Sequence, residues 1–490
     1  MQEVLLEKEG DRIMAKREMW ELQQKQSLPL NLKISLTKAR IRQWINEYGE
    51  DGVYVSFSGG KDSTVLLDLV RQDYPDVKAV FFDTGLEYPE IREFVKGYEN
   101  VDWIKPKMNF REIIDKFGYP MISKEVSECV QGARKYLTSI LQNETVLTDR
   151  QTDRQTDSIV IPTFTTNSQD KGNIQKEIIP SVDEESLKKL SRGGTTTSIE
   201  NSEELANLLN KRMINREGGN NQRLAIMLGM LTNDKSNPIK ANIPSEDRSI
   251  FSQEKYKFFL YAPFEISNKC CNVMKKNPSH TYIHETGRKP ITAQMADESR
   301  LRLQKWLQHG CNAFDAKNPI SNPMSFWTEQ DVLKYIKDNN LPIASVYGDI
   351  VVKNNGLQGQ LNIHDYLNDY RECEYCTTGC NRTGCMFCGF GCNLEKPGQG
   401  RFERMAITHP NSYDYLMRGG AFDNDGLWKP TNNGLGYWFV LKWIALAFNF
   451  NIQIPNYIEY ELKYGNELTA KFLLEASNYG NEQRKTKKRS

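Results

Sequence analysis

Two hydrophobic rhythms alternate along the first 120 residues. From 34 to 48, Ile34, Leu36, Ile41, Trp44 and Ile45 recur at roughly helical spacing, which predicts an amphipathic helix. Short apolar runs at 53–57, 78–82 and 101–104 read as strands, and helical patterns at 62–72, 89–97 and 109–118 fall between and after them. This alternation predicts an α/β fold with a doubly wound parallel sheet that takes ligands at the carboxyl ends of its strands.

The pattern dissolves between about 137 and 250, where TDRQTDRQTD (148–157) is a short tandem repeat among Ser, Thr, Asn, Gly and charged residues. That composition buries too little apolar surface to offset ordering entropy, so 137–250 is expected to be a mostly flexible insertion. Only EELANLLNKRMI (203–214) and RLAIMLGML (223–231) interrupt it. Order returns at KYKFFLYAPF (255–264), and Thr328 caps a predicted helix over 328–340. The expected organisation is a helical lead-in at 1–50, a nucleotide-binding domain in two parts at 51–136 and 251–345, a cysteine-rich segment at 346–395, and an extension with helical character at 396–490. The apolar run 437–448 marks that extension, and RKTKKRS ends the chain as a basic tail.

Charge adds little. Sixty-four Lys and Arg against 63 Asp and Glu argue against a global affinity for nucleic acid or membranes. No apolar run approaches the roughly 18 residues of a membrane span, and the charged N-terminus is unlike a signal peptide, so a cytoplasmic protein with no membrane partner is expected. Cysteine is more telling: six of ten lie between Cys373 and Cys392, and Cys270 and Cys271 are adjacent. Clustered thiols with two-residue spacers in such a chain favour metal or iron–sulfur ligation over disulfides.

The strand at 53–57 runs into Ser58-Gly59-Gly60-Lys61-Asp62-Ser63 and then a helix. Glycines let backbone N–H groups approach an oxyanion closely, and hydroxyls and the helix N-terminus add donors. Lys61 would meet phosphate charge. The spacing is not that of the Walker loop.

SGGKDS is similar to the PP-loop of the N-type ATP pyrophosphatases, in the adenine nucleotide alpha-hydrolase-like superfamily. FFDTGLEYPE (81–90), PMISKE (120–125), KCCNVMKKNP (269–278), ADESRLR (296–302) and NPMSFWTEQDVLKYI (322–336) resemble, in order, elements of the phosphoadenosine phosphosulfate (PAPS) reductase family. The resemblance covers roughly 30–135 and 255–395. It implies an adenine nucleotide across the strand ends, with Ser56, Ser58, Gly59, Gly60, Lys61, Asp62 and Ser63 on its phosphates, and Lys61, Asp62 and Ser63 in the catalytic step. Asp83 is implied near the ribose, the adenine or magnesium, and Lys124, Arg300 and Arg302 as anion contacts.

Four thiolates arranged as Cys-Cys plus Cys-x-x-Cys can surround one metal centre if the fold gathers them. Cys270, Cys271, Cys385 and Cys388 supply that set, which looks like the [4Fe-4S] arrangement of the assimilatory sulfonucleotide reductases. Spacing alone does not separate an iron–sulfur cluster from zinc. Cys373, Cys376, Cys380 and Cys392 are candidates for a second metal site. His280 and His284, four residues apart, lie between Pro278 and Gly287 in what reads as a loop, so a surface role is expected for them.

Two chemistries follow from the resemblance. In one, ATP adenylates an unidentified acceptor, small molecule or nucleic acid, pyrophosphate leaves, and a sulfur or nitrogen nucleophile displaces the adenylate, a donor protein being one implied source of the sulfur. In the other, a thiolate attacks the sulfur of adenylyl sulfate or PAPS, and a thiol cofactor releases sulfite. The reductases carry a modified PP-loop and a C-terminal motif of the ECGLH kind. Here the loop is intact and no cysteine follows Cys392, so the expectation is ATP pyrophosphatase chemistry linked to sulfur transfer. The sulfite-forming reductase is the alternative, and a non-catalytic nucleotide sensor of a defence or phage system is a third reading. Composition leaves the oligomeric state open.

Overall fold

The computed structural model describes residues 18–148, 219–233, 238–240, 243–244, 247–352 and 374–487, together with Ala206 and Leu209. Most of the repeat at 148–157, most of the segment at 203–214, Cys373 and the last three residues of the basic tail lie outside the described residues. The chain divides into two compact units, 1–109 with 273–386 and 110–272 with 387–490.

In the first unit the short apolar runs pair as one sheet. Its strands lie in the order Val101–Ile104, Ala79–Phe82, Val53–Ser56, Lys289–Ile291, Ile320–Ser321 and Asn312–Ala313. The first five are parallel, and Asn312–Ala313 is an antiparallel edge. Val53–Ser56 has the chain's second strand on one side and Lys289–Ile291 on the other, so the order reverses beside it. Such a switch point leaves a crevice at the carboxyl ends of the strands, which is where this fold class takes ligands.

Strand alternation distributes the core. Val53 and Val55 join Val65, Leu66, Leu69, Val70, Phe81 and Trp327 in a large cluster, whereas Tyr54 and Val80 join Tyr282 in a separate one. The helix Leu30–Tyr48 buries Ile41, Trp44 and Ile45 in the large cluster. It is tied to the helix Glu329–Asp338 by the buried pair Lys33–Asp331, 2.7 Å apart. Thr328 caps the latter helix, accepting from the Asp331 amide, while the Asp331 carboxylate accepts from the Thr328 amide.

The segment 277–286, expected to be a loop, is a helix, Asn277–Thr286. Pro278 sits in its first turn, and Gly287 ends it with φ +72°. Gly287 is a stop signal, whereas Pro278 lies in a helical run that reaches it through the π-helical turn Asn272–Lys276.

The second unit is mainly helical. Helix Lys124–Thr148 continues well into the segment expected to be a flexible insertion. The apolar run at 223–231 forms helix Asn220–Leu228 and the turn after it, with Leu224, Ala225 and Met227 buried. Gly132 of the long helix meets Arg223 and Asn220 at close range, and Arg223 pairs with Glu128. The run at 437–448 is the helix Tyr437–Phe448. Its Trp443 ring stacks 5.2 Å from Phe258, which stacks 4.0 Å from Tyr479.

Candidate nucleotide site

The glycine turn follows the central strand and opens the helix Lys61–Asp73. Gly59 has φ +70°, and a Cβ built on it would lie 2.6 Å from Val95 Cγ2 and 2.9 Å from Ile91 Cγ2. Only glycine combines that backbone with that approach. The hydroxyls tie the turn to itself: Ser58 Oγ lies 3.0 Å from Ser63 Oγ, which donates to the Gly60 carbonyl at 2.9 Å.

Lys61 is 2% exposed and already engaged. Its ammonium donates to the Asn381 carbonyl at 3.1 Å and pairs with Glu329 at 3.0 Å, with Asp62 at 3.5 Å. Its amide donates to the Tyr347 hydroxyl at 3.1 Å, which lies 2.6 Å from the Thr383 hydroxyl. Burial raises the Tyr347 pKa against the lowering effect of Thr383 and Lys61, which keeps the phenol a neutral donor and acceptor. Segment 381–383 therefore braces the loop, and neither Tyr347 nor Thr383 stands out in sequence.

A cavity of about 610 Å³ opens at the strand ends, lined by Ser56, Ser58, Phe82, Pro290, Thr292 and Ile320 among others. Lys275, Lys276, Lys305 and His280 also line it, against the single carboxylate of Glu87. Its volume and its mixture of aromatic and cationic walls suit a nucleotide. Three lysines and a histidine there escaped sequence reasoning; the doublet Lys275-Lys276 was the available signal.

Arg302 is brought beside the loop. Burial, then the neighbouring Arg382, lowers its guanidinium pKa, and Asp62 opposes them. Arg302 and Arg382 share Glu298. Two guanidiniums so close favour an anion between them. Arg300 is exposed at the start of the helix Arg300–His309. Asp83 is buried and committed to the chain itself, accepting from Arg92 at 2.9 Å and the Gly85 amide at 3.0 Å, so this carboxylate is not poised for magnesium. Lys124 belongs to the second unit.

The implied metal ligands are also divided. Cys385 is in the first unit; Cys270, Cys271 and Cys388 are in the second. Cys270 and Cys271 Sγ atoms are 4.0 Å apart, Cys388 neighbours Cys271, and Tyr437 neighbours Cys270, Cys388 and Cys392. Burial raises the Cys388 thiol pKa against Arg401 and Lys124, and pushes Cys392 up to about 12. Among the described residues no three His, Cys, Asp or Glu side chains are arranged to hold a metal ion. Of the second candidate set, Cys376 and Cys380 are in the first unit and Cys392 in the second.

A family model described as a phosphoadenosine phosphosulfate reductase domain matches residues 52–136 and 234–389. The adenosine 5'-phosphosulfate reductase of Geobacillus kaustophilus is 28% identical over 120 residues, 23% of this chain and 51% of the relative. The phosphoadenosine 5'-phosphosulfate reductase of Photorhabdus laumondii is 37% identical over 75 residues, 15% of this chain and 31% of the relative. An uncharacterized protein of Methanocaldococcus jannaschii is 40% identical over 73 residues, 14% and 18% of the two chains. The chain spans about half the length of the adenosine 5'-phosphosulfate reductases it matches. Among solved structures, the phosphate complex of phosphoadenylyl-sulfate reductase from Candida auris aligns at 12% identity with a TM-score of 0.27, over 67% of this chain and 90% of that one.

Proposed function

This chain belongs to the phosphoadenosine phosphosulfate reductase family, and from that premise we propose that its strand-end cavity binds adenylyl sulfate or PAPS for transfer of the sulfuryl group to a thiol. The observation that carries the reading is the cavity beside Ser58, with Lys275, Lys276 and Lys305 facing a single carboxylate. The lysines hold phosphate and sulfate oxygens by charge, and Phe81, Phe82 and Pro290 offer flat or apolar surface to the base. In the reaction a thiolate attacks sulfur, an S–S bond forms, and the S–O bond breaks with its electron pair leaving on the nucleotide phosphate. A second thiol then releases sulfite and leaves a disulfide. Fixed cations at the departing phosphate supply the electrostatic part of the catalysis.

ATP pyrophosphatase chemistry is the second reading, favoured by the intact Ser58–Ser63 hexapeptide. Against it, the Lys61 ammonium that would hold pyrophosphate is taken by Asn381 and Glu329. Anaerobic incubation with each nucleotide and a dithiol discriminates between the two. Sulfite and a nucleotide product from adenylyl sulfate or PAPS, with loss of activity in Lys276→Gln, is the expected result. AMP and pyrophosphate from ATP without sulfite would replace it with the second reading, and binding with no product would favour a sensor.

A further inference from the structure

A second cavity, of about 420 Å³, lies in the first unit and is bounded by Lys25, Arg40, Gln43, Trp306, His309 and Phe314. None of these residues belongs to the nucleotide cavity, although Lys305, their neighbour on helix Arg300–His309, does. The Trp306 side chain is almost wholly buried, yet its indole Nε1 has no hydrogen-bond partner among the described residues. His309, whose side chain is 33% exposed, also borders the cavity, with Asp315 3.9 Å from its Nδ1. A buried donor without an acceptor is rare in folded proteins, and the Trp306 indole on this cavity wall calls for an acceptor from outside the chain. The charge on the wall says which kind. The Lys25 ammonium lies 5.4 Å from the Trp306 ring centre, and Arg40 contributes a guanidinium held by Gln43 at 2.8 Å, against only Asp315. The rings of Trp306 and Phe314 add a flat apolar surface.

We propose that this cavity is a second ligand site, for a small molecule bearing a carboxylate or phosphate whose oxygens accept from Trp306 Nε1 and pair with Arg40 and Lys25. The proposal is independent of the nucleotide reading. It is tested on the full chain labelled with 5-fluorotryptophan. The eight tryptophans give resolvable fluorine signals, and Trp306→Phe identifies the relevant one. The probes are inorganic phosphate and benzoate. The Trp306 signal should shift saturably with at least one of them, and Arg40→Gln should raise the half-saturating concentration at least tenfold. Lys276→Gln, in the other cavity, should leave that titration unchanged. Tighter binding of phosphate would identify a phosphoryl head group, and tighter binding of benzoate a carboxylate on a ring. No shift with either probe, a shift without saturation, or a titration indifferent to Arg40→Gln would overturn the proposal. Should Trp306→Phe not fold, the comparison of wild type with Arg40→Gln, read on whichever tryptophan signal responds, carries the same decision.

Discussion

Lys61 shows what a single position can and cannot disclose. That it stands in a glycine turn opening a helix is local information, carried by two glycines and flanking serines. What holds its ammonium is not local: Asn381 is 320 residues downstream, and Glu329 heads the distant helix Glu329–Asp338. Lys61→Met should therefore do two things. It should remove a part-buried hydrogen bond from a charged donor and lower stability by about 1–3 kcal/mol in urea unfolding, and it should loosen the loop enough to weaken nucleotide binding. Unchanged unfolding with lost binding would instead mean that the ammonium leaves Asn381 for the ligand. Thiol reactivity is a second property of single residues. Burial pushes Cys129 to about 11 and Cys392 to about 12, so both remain protonated near pH 8 and should react slowly with a thiol reagent. Mass spectrometry of timed alkylation should find both late, with rates rising as pH approaches 11; early labelling at pH 8 would contradict their burial.

Among the elements, periodicity located the three helices between 61 and 117 and the first three strands because each carries its own apolar pattern, helical spacing in the helices and continuous runs in strands such as Val53–Ser56 and Ala79–Phe82 that are buried on both faces. It failed where packing is distant or where punctuation was misread. Asn277–Thr286 carries its proline and glycine at the ends, and Asn220–Leu228 finds its partner in a helix about 90 residues earlier. The turn between the first strand and helix Lys61–Asp73 also depends on another element, the helix Pro89–Lys96, against which Gly59 is pressed. Gly59→Ala must accept a left-handed backbone and displace Val95 and Ile91, and should cost about 1–3 kcal/mol together with nucleotide binding. Gly85→Ala is the matched control. Its φ is +74°, but nothing lies within 4 Å of the added methyl, so it should cost only about 1 kcal/mol of backbone strain. Thermal unfolding and equilibrium binding of the two variants, side by side, separate crowding from conformation.

Over the whole chain, the sequence singled out the glycine turn but not the cavity beside it, because the cavity's lysines come from two segments, 275–276 and the helix Arg300–His309, and its walls from four strands. The thiol set was the least legible, since membership in a compact unit is decided by contacts that no spacing encodes. Burial gives the assembled protein a collective property as well. Cys129 and Cys392 are joined by Tyr54, raised to about 12, and by Tyr119 and Tyr437, raised well above the ordinary phenol value, in each case mainly by desolvation. Unfolding returns these thiols to about 9.0 and these phenols to about 10.0, so above those values the unfolded chain releases protons that the folded chain retains. The folded state then binds more protons than the unfolded one, and stability must fall as pH rises. The contribution is complete below about pH 9, begins to erode as the thiols of the unfolded chain ionise, and erodes faster above pH 10 when its phenols follow. Urea midpoints measured from pH 7 to 11 should be level to about 8.5 and then decline, and Cys129→Ala should make the decline between 9 and 10 shallower. A midpoint that held steady to pH 11 would mean that these groups are open to solvent in the folded protein, and the buried cores of both units would have to be redrawn.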